Sequence, residues 1–171
     1  HLPRQYEDRT RIVPIRALRS AVPAQVEGRV EAVDRAFRRR PMLRVAIGDG
    51  SGATLVLRFF HFRAAQLAQF AVGTPLCVYG TPRPGQHGLE IVHPSYRVMG
   101  DADPVVEDAL DPVYPTIEGI GPATLRRMIG HALDRLPDGD ALELVPADLL
   151  AGLALPTLRE ALLTVHRPPP D

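Results

Sequence analysis

The chain has 171 residues, 45% hydrophobic and 23% charged, with a formal net charge of zero. That size suits one domain, or a domain with a helical appendage, and the apolar fraction argues against wholesale disorder. No apolar run approaches the ~18–20 residues of a membrane helix, and no N-terminal stretch has the layout of a signal peptide. The one cysteine, Cys77, excludes an internal disulfide framework and a Cys-based zinc cluster, so a reducing, cytoplasmic setting is expected.

The zero hides a split. Residues His1 to Val98 hold 15 arginines against 7 acids, and Met99 to Asp171 hold 5 against 13, so the halves carry +8 and −8. All 20 basic residues are arginine. A charge that reverses along the chain points to one part facing phosphates and another that does not. Arginine suits the first task, because it grips phosphate with two bonds and also stacks on bases.

The basic half reads as β structure. His1 to Thr10 is polar and without a core pattern, and residues 1–20 lead into a domain spanning 21–100. Val26 to Val33 alternates apolar and polar residues with period two, and Leu43 to Ile47 does the same. Gly48-Asp49-Gly50-Ser51-Gly52 marks a tight turn, which explains Asp49. Thr54 to Phe60 is a third strand. Phe62 to Phe70 breaks the alternation and suits a short helix closed by Gly73. Leu76 to Tyr79 is a fourth strand. Thr81 to Gly88 reads as a loop, because its prolines and glycines do not favour a ladder. Leu89 to Val92 begins a fifth strand, which resumes through Tyr96 to Val98 beyond Pro94. Five strands with one short helix between the third and fourth is the order of an OB-fold, a small five-stranded Greek-key barrel. The fold class expected is mainly β with an α appendage.

The acidic half, 101–171, reads as helical. Asp101 to Pro115 is a proline-containing linker. Pro122 to Leu136, Pro146 to Ala151 and Pro156 to Val165 are helix candidates, the first opening on a proline. His166 to Pro170 cannot continue a helix. Both ends of the chain read as cuts within a longer protein.

Three clusters point to nucleic acid. In Arg58-Phe59-Phe60-His61-Phe62-Arg63, three aromatics fall within four positions. Adjacent strand residues face opposite sides, so Phe59 and Phe60 cannot both enter the core of a regular strand. An outward Phe between arginines is what a base-stacking platform needs. The plainer alternative puts Phe59 and Phe62 in the core, with Phe60 covering the short helix. Arg35 to Pro41 contains Arg38, Arg39 and Arg40 in the loop between the first two strands, a common OB-fold contact loop; the alternative is a solvated hairpin tip. Arg83 and His87 belong to the loop between strands four and five, which a typical OB-fold is expected to set at the same end of the barrel as the arginine run. His61, His87 and His93 are scattered and lack metal-ligand spacing. No GxSxG, Walker A or CxxC pattern appears, and nothing supports catalysis by this chain alone. Ile117 to Thr124 resembles the hairpin of helix-hairpin-helix modules, with a Gly-Pro helix start as the plainer reading.

Several segments in order resemble the wedge domain of RecG-type ATP-dependent DNA helicases. They are Leu2 to Thr10, the Gly48 to Gly52 turn, Leu57 to Phe62, Gly88 to Pro94, Val113-Tyr114-Pro115, Leu125 to Ile129, and Leu158 to Leu162 through His166-Arg167-Pro168. The resemblance covers nearly the whole chain. It implies an OB-fold seated at the junction of a stalled replication fork or Holliday junction, splitting parental from nascent strands as a motor pulls the arms past it. By motif position it implies that Phe60 stacks on bases at the branch point. His61 replaces the Asn that often follows this Phe, and Ala64 falls near where a second aromatic is expected, with Phe62 as its possible substitute. The motor, with its ATP and magnesium, would lie after Asp171. This chain would then hold no cofactor, and the acidic segment would connect wedge to motor. The partners expected are branched DNA and that motor, in a monomeric protein without a membrane partner. Two other readings stand beside this one, a general single-strand-binding module and a protein-interaction barrel.

Overall fold

Period-two alternation becomes a barrel in the computed structural model, which describes residues 2–36, 41–100, 110–115, 117–138 and 141–169. Two compact units divide the chain, one formed by residues 11–107 and the other by residues 1–10 with 108–171.

The first unit is built on β2 (Ala24–Ala36), β3 (Met42–Gly48), β4 (Thr54–Phe59), β5 (Pro75–Gly80), β6 (Arg83–Gly85), β7 (Gly88–Val92) and β8 (Ser95–Val98), with α1 (Ala64–Ala68) between β4 and β5. The sheet order is β6-β7-β4-β3-β2-β5-β8. The long β2 serves two neighbours. Its first half pairs antiparallel with β5, from Ala24 opposite Gly80 to Arg29 opposite Pro75. Its second half pairs with β3, from Arg29 opposite Gly48 to Ala36 opposite Met42, and a register shift between Val30 and Ala32 lets it bend. Where β2 changes partner, a Cβ on Gly28 would lie 3.0 Å from the Gly48 carbonyl oxygen, so glycine permits the close approach.

Strand β7 runs parallel to β4, and β8 runs antiparallel to β5. They are consecutive in the chain and separated only by His93 and Pro94, yet they pair with opposite ends of the β4-β3-β2-β5 ladder. The sheet therefore closes on itself, with the fifth strand broken at Pro94 as the sequence predicts. The expected OB-fold is present. Alternate residues fill the interior: Val26 and Val30 from β2, Leu43, Val45 and Ile47 from β3, Leu55, Leu57 and Phe59 from β4, Leu76 and Val78 from β5, and Ile91 from β7. Each such side chain contributes about 1.5–3 kcal/mol on burial. Phe70, just past α1, joins this core and stacks on Phe59 at 5.4 Å. A 3-10 turn at Ile15–Ala17 adds Ile15 and Leu18. Asp49 fixes it: one carboxylate oxygen accepts the Ile15 N–H at 2.7 Å and the other accepts the Ser51 N–H at 2.9 Å.

Three expectations for this unit change. Arg35 and Ala36, expected in the first loop, belong to β2. The fourth-to-fifth-strand connection is not all loop. Arg83–Gly85 forms β6, paired with β7 from Arg83 opposite Glu90 to Gly85 opposite Gly88. Pro84 is tolerated because β6 is an edge strand, where a missing N–H leaves no neighbour unpaired. Finally, β4 ends at Phe59 and α1 begins only at Ala64, which places Phe60 to Arg63 in the connection.

The second unit pairs β1 (Gln5–Glu7) with β9 (Asp111–Val113), inside the stretch expected to be a linker. Three-residue strands are too short to show a period, so only the pairing defines them. Buried Asp111 receives Arg9 at 3.3 Å and Arg126 at 3.2 Å. The helices are α2 (Pro122–Leu133), α3 (Ala147–Gly152) and α4 (Leu158–His166). Thr157 and Glu160 form a reciprocal capping box at the start of α4. Before α2, Gly119 turns the chain at φ +78° and Ile117 bridges to Ile120. Among the described residues, the segment preceding this turn carries the strand β9 and no helix, and the Gly-Pro helix start is the reading that fits. No helix among the described residues is long and apolar enough to cross a membrane.

Candidate nucleic-acid interface

Strand alternation decides the orientation of the aromatic cluster. Phe59 points inward and is buried, whereas Phe60 sits half-exposed just beyond the last residue of β4. Phe62 is half-buried and packs against the hydrophobic core. His61 and Arg63 are exposed, Arg63 preceding the first turn of α1.

Phe60 has two neighbours of its own. The Arg58 guanidinium lies 5.2 Å from its ring centroid, a cation–π distance. The His93 ring lies 5.6 Å away, and the Phe60 N–H points at His93 Nε2 at 3.5 Å. His93 also lies 6.2 Å from Phe59 and 6.5 Å from His61. The histidines that look scattered in sequence are thus partly gathered. His61 and His93 meet beside Phe60, while His87 sits exposed in the β6–β7 turn.

Arg58 and Arg83 share a carboxylate. Glu90 is only 6% exposed; Arg58 Nη1 reaches its Oε1 at 2.8 Å, and Arg83 Nε reaches the same oxygen at 3.0 Å. Two arginines on one carboxylate leave a local excess of one positive charge. Sequence reasoning missed both Glu90 and His93. The signal available for Glu90 was a carboxylate directly before the core residue Ile91.

Register sets the level of the strand ends. Leu43 lies opposite both Arg35 and Phe59, so the last residues of β2 are level with the Phe60 end of β4. Glu90 lies beside Val56 in the parallel pair, so the β6–β7 turn falls near Thr54, at the other end. At about 3.3 Å per residue, His87 and Phe60 are separated by about 20 Å along the strand. The expectation that both loops share one end of the barrel rests in part on residues 37–40. Arg38, Arg39 and Arg40 lie outside the described residues. Among the described residues, no group of three or more His, Cys, Asp or Glu could hold a metal ion.

The family model of the RecG wedge domain matches residues 1–136. The chain belongs to the RecG wedge domain family. The wedge domain is 46% identical over 171 residues to the ATP-dependent DNA helicase RecG of Escherichia coli K12, a match covering 99% of this chain and 24% of the relative. It is 40% identical over 172 residues to the RecG of Haemophilus influenzae, covering all of this chain and 24% of that one. The chain thus spans about a quarter of the length of the curated relatives it matches. A solved RecG bound to a three-way DNA junction superposes with a TM-score of 0.76 at 22% identity, covering 98% of this chain and 23% of that one. At that identity the likeness supports the fold.

Proposed function

We propose that this wedge domain binds branched DNA, replication forks and Holliday junctions, and serves as the strand-separating element of a cytoplasmic, monomeric ATP-dependent helicase. The observation that carries this reading is the outward Phe60 ring, backed by Arg58, in a member of the RecG wedge family. A base at the branch point stacks on the exposed face of Phe60, worth about 1–3 kcal/mol per base. Phosphates on either side are met by Arg63 and by the Arg38-Arg39-Arg40 run, and further along the barrel by Arg83 and His87. Phe62, largely committed to packing, steadies the connection that carries His61. The ATP and magnesium of strand separation belong to a motor in the same protein, and this chain needs no cofactor to bind DNA. Junction binding by a relative's solved structure supports the choice of ligand.

The test is fluorescence anisotropy with a fork, a single strand and a linear duplex at one salt concentration. The fork is expected to bind tightest, and Phe60→Ala to lose about 1–3 kcal/mol of that affinity with little change in the melt. Equal affinity for fork and duplex would overturn the wedge reading. Preference for the single strand would favour a general single-strand binder instead, and no DNA affinity at all a protein-interaction barrel.

A further inference from the structure

Two like charges face each other across the β3–β4 ladder, where Arg44 lies directly opposite Arg58. Their sequence neighbours Leu43, Val45, Leu57 and Phe59 fill the core, so both arginines stand on the outer face of the barrel. Like charges directly opposite destabilise a sheet unless something neutralises them. Glu90 does so for Arg58 at 2.8 Å and also takes Arg83 at 3.0 Å. Arg44 is left with Asp34, 3.9 Å away and 67% exposed, its one ion pair among the described residues. A pair so long and so exposed contributes little. Arg44, Arg58 and Arg83 thus share one buried carboxylate.

A hollow of about 70 Å³ opens beside them, walled by Arg44, Arg58 and Glu90 and by the Gly85–Gly88 turn between β6 and β7. One water needs about 10–15 Å³ of such space, so the hollow admits about five atoms of that size, enough for a tetrahedral phosphate. The turn adds little bulk, because Gly85 and Gly88 flank exposed Gln86 and His87. Glu90 adds no free negative charge, since Arg58 holds both its oxygens. We propose that this hollow lodges one phosphate of the bound DNA strand, with Arg44 its main contact and His87 at its rim. The Arg58 guanidinium that walls the hollow also lies 5.2 Å from the Phe60 ring centroid, so one side chain borders both the phosphate and the stacked base. The proposal rests on the DNA-binding reading above. It adds to that reading a contact residue, Arg44, and a path for the strand along the outer face of β4 towards the β6–β7 turn.

Salt dependence reads a phosphate contact directly, because each contact releases condensed counterions. Fork affinity of the whole chain is measured by anisotropy across a salt series. Arg44→Gln, on the outer face, leaves the core untouched. It is expected to flatten the slope of log K against log salt by about 0.7–0.9, the share of one phosphate. Arg127→Gln removes an equal charge from an exposed position of α2 in the other unit and is expected to leave the slope as it is. A native slope in Arg44→Gln would overturn the proposal. So would an equal flattening in Arg127→Gln, since loss of net charge would then explain both. A second measurement replaces single phosphates of the fork by neutral methylphosphonates. One replacement is expected to weaken the native chain and to have no effect on Arg44→Gln, because the contact is already gone. If every replacement weakens both proteins alike, no phosphate is lodged at Arg44. Phe60→Ala, run alongside, separates this proposal from the reading beneath it. If it weakens fork binding while Arg44→Gln keeps the native slope, only the phosphate site fails; if neither variant changes anything, the DNA-binding face is misassigned.

Discussion

Arg58 holds Glu90 with two bonds from one nitrogen: Nη1 lies 2.8 Å from Oε1 and 3.1 Å from Oε2. The pair crosses from β4 to β7, and Arg83 on β6 completes it, so one buried carboxylate ties three strands together. A Cβ on Gly85 would come within 2.6 Å of Glu90 Oε2, and glycine there leaves the carboxylate its room. The same bonds fix the guanidinium that lies against Phe60, which links barrel stability to the shape of the interface.

The partners of Glu90 are unequal, and that predicts unequal losses. The Arg58 side chain is 24% exposed and the Arg83 side chain 52%. Glu90→Ala strands a mostly buried guanidinium and is expected to cost about 2–4 kcal/mol. Arg83→Ala removes a half-exposed partner and leaves Glu90 on Arg58, at about 1 kcal/mol or less. Urea denaturation of both variants checks the ranking, and equal losses would contradict it.

Asp49 predicts an acid-sensitive attachment of the 3-10 turn. Burial alone would push its carboxyl up, but hydrogen bonds from Ser51 and from the Ile15 N–H outweigh it and leave the group below the ordinary value of 3.8. A depressed carboxylate contributes its full stability above the unfolded value and loses it as pH falls through the folded one. Asp49→Asn is therefore expected to be less stable than the native chain at neutral pH, by about 1–2 kcal/mol, and the gap to close below about pH 4. Thermal melts at pH 7 and pH 3 measure it; a gap unchanged at pH 3 would mean that the charge plays no part.

Legibility followed the length of the pattern. The long barrel strands reveal themselves because their inward residues recur at every second position, as Leu43, Val45 and Ile47 do. The orientation of Phe59 and Phe60 follows from the same alternation once β4 is placed. Strands β6 and β9 are three residues long and contain Pro84 and Pro112, so local composition argues against them and only tertiary pairing makes them. Glu90 and His93 fail for a different reason. Each meets a β4 or post-β4 residue more than 30 positions away, Arg58 for Glu90 and Phe60 for His93, and the meeting depends on β7 running parallel to β4 in one register. Ala64, which suggests a missing second aromatic, stands on α1, while the ring packed against Phe60, that of His93, comes from the broken fifth strand.

A second pH effect belongs to the helical unit. His166 closes α4, is buried, and its Nδ1 lies 2.9 Å from the Tyr114 hydroxyl, with the two rings 5.7 Å apart. Burial pushes Tyr114 up and His166 down, so both groups favour their uncharged forms in the folded state. Between the folded value of His166 and its ordinary value of 6.5, the unfolded chain binds more protons than the folded one. Stability from this pair is full above about pH 6.5 and falls as pH drops through that value towards the folded one. His166→Gln keeps a hydrogen-bonding group for Tyr114 but cannot titrate. Urea denaturation at pH 7.5 and 5.5 is expected to show a smaller loss on acidification in His166→Gln than in the native chain, and NMR titration of the native imidazole a midpoint below 6.5. The two proteins share the other five histidines, so the difference between the two isolates His166. Equal losses on acidification would show that its proton is not coupled to folding.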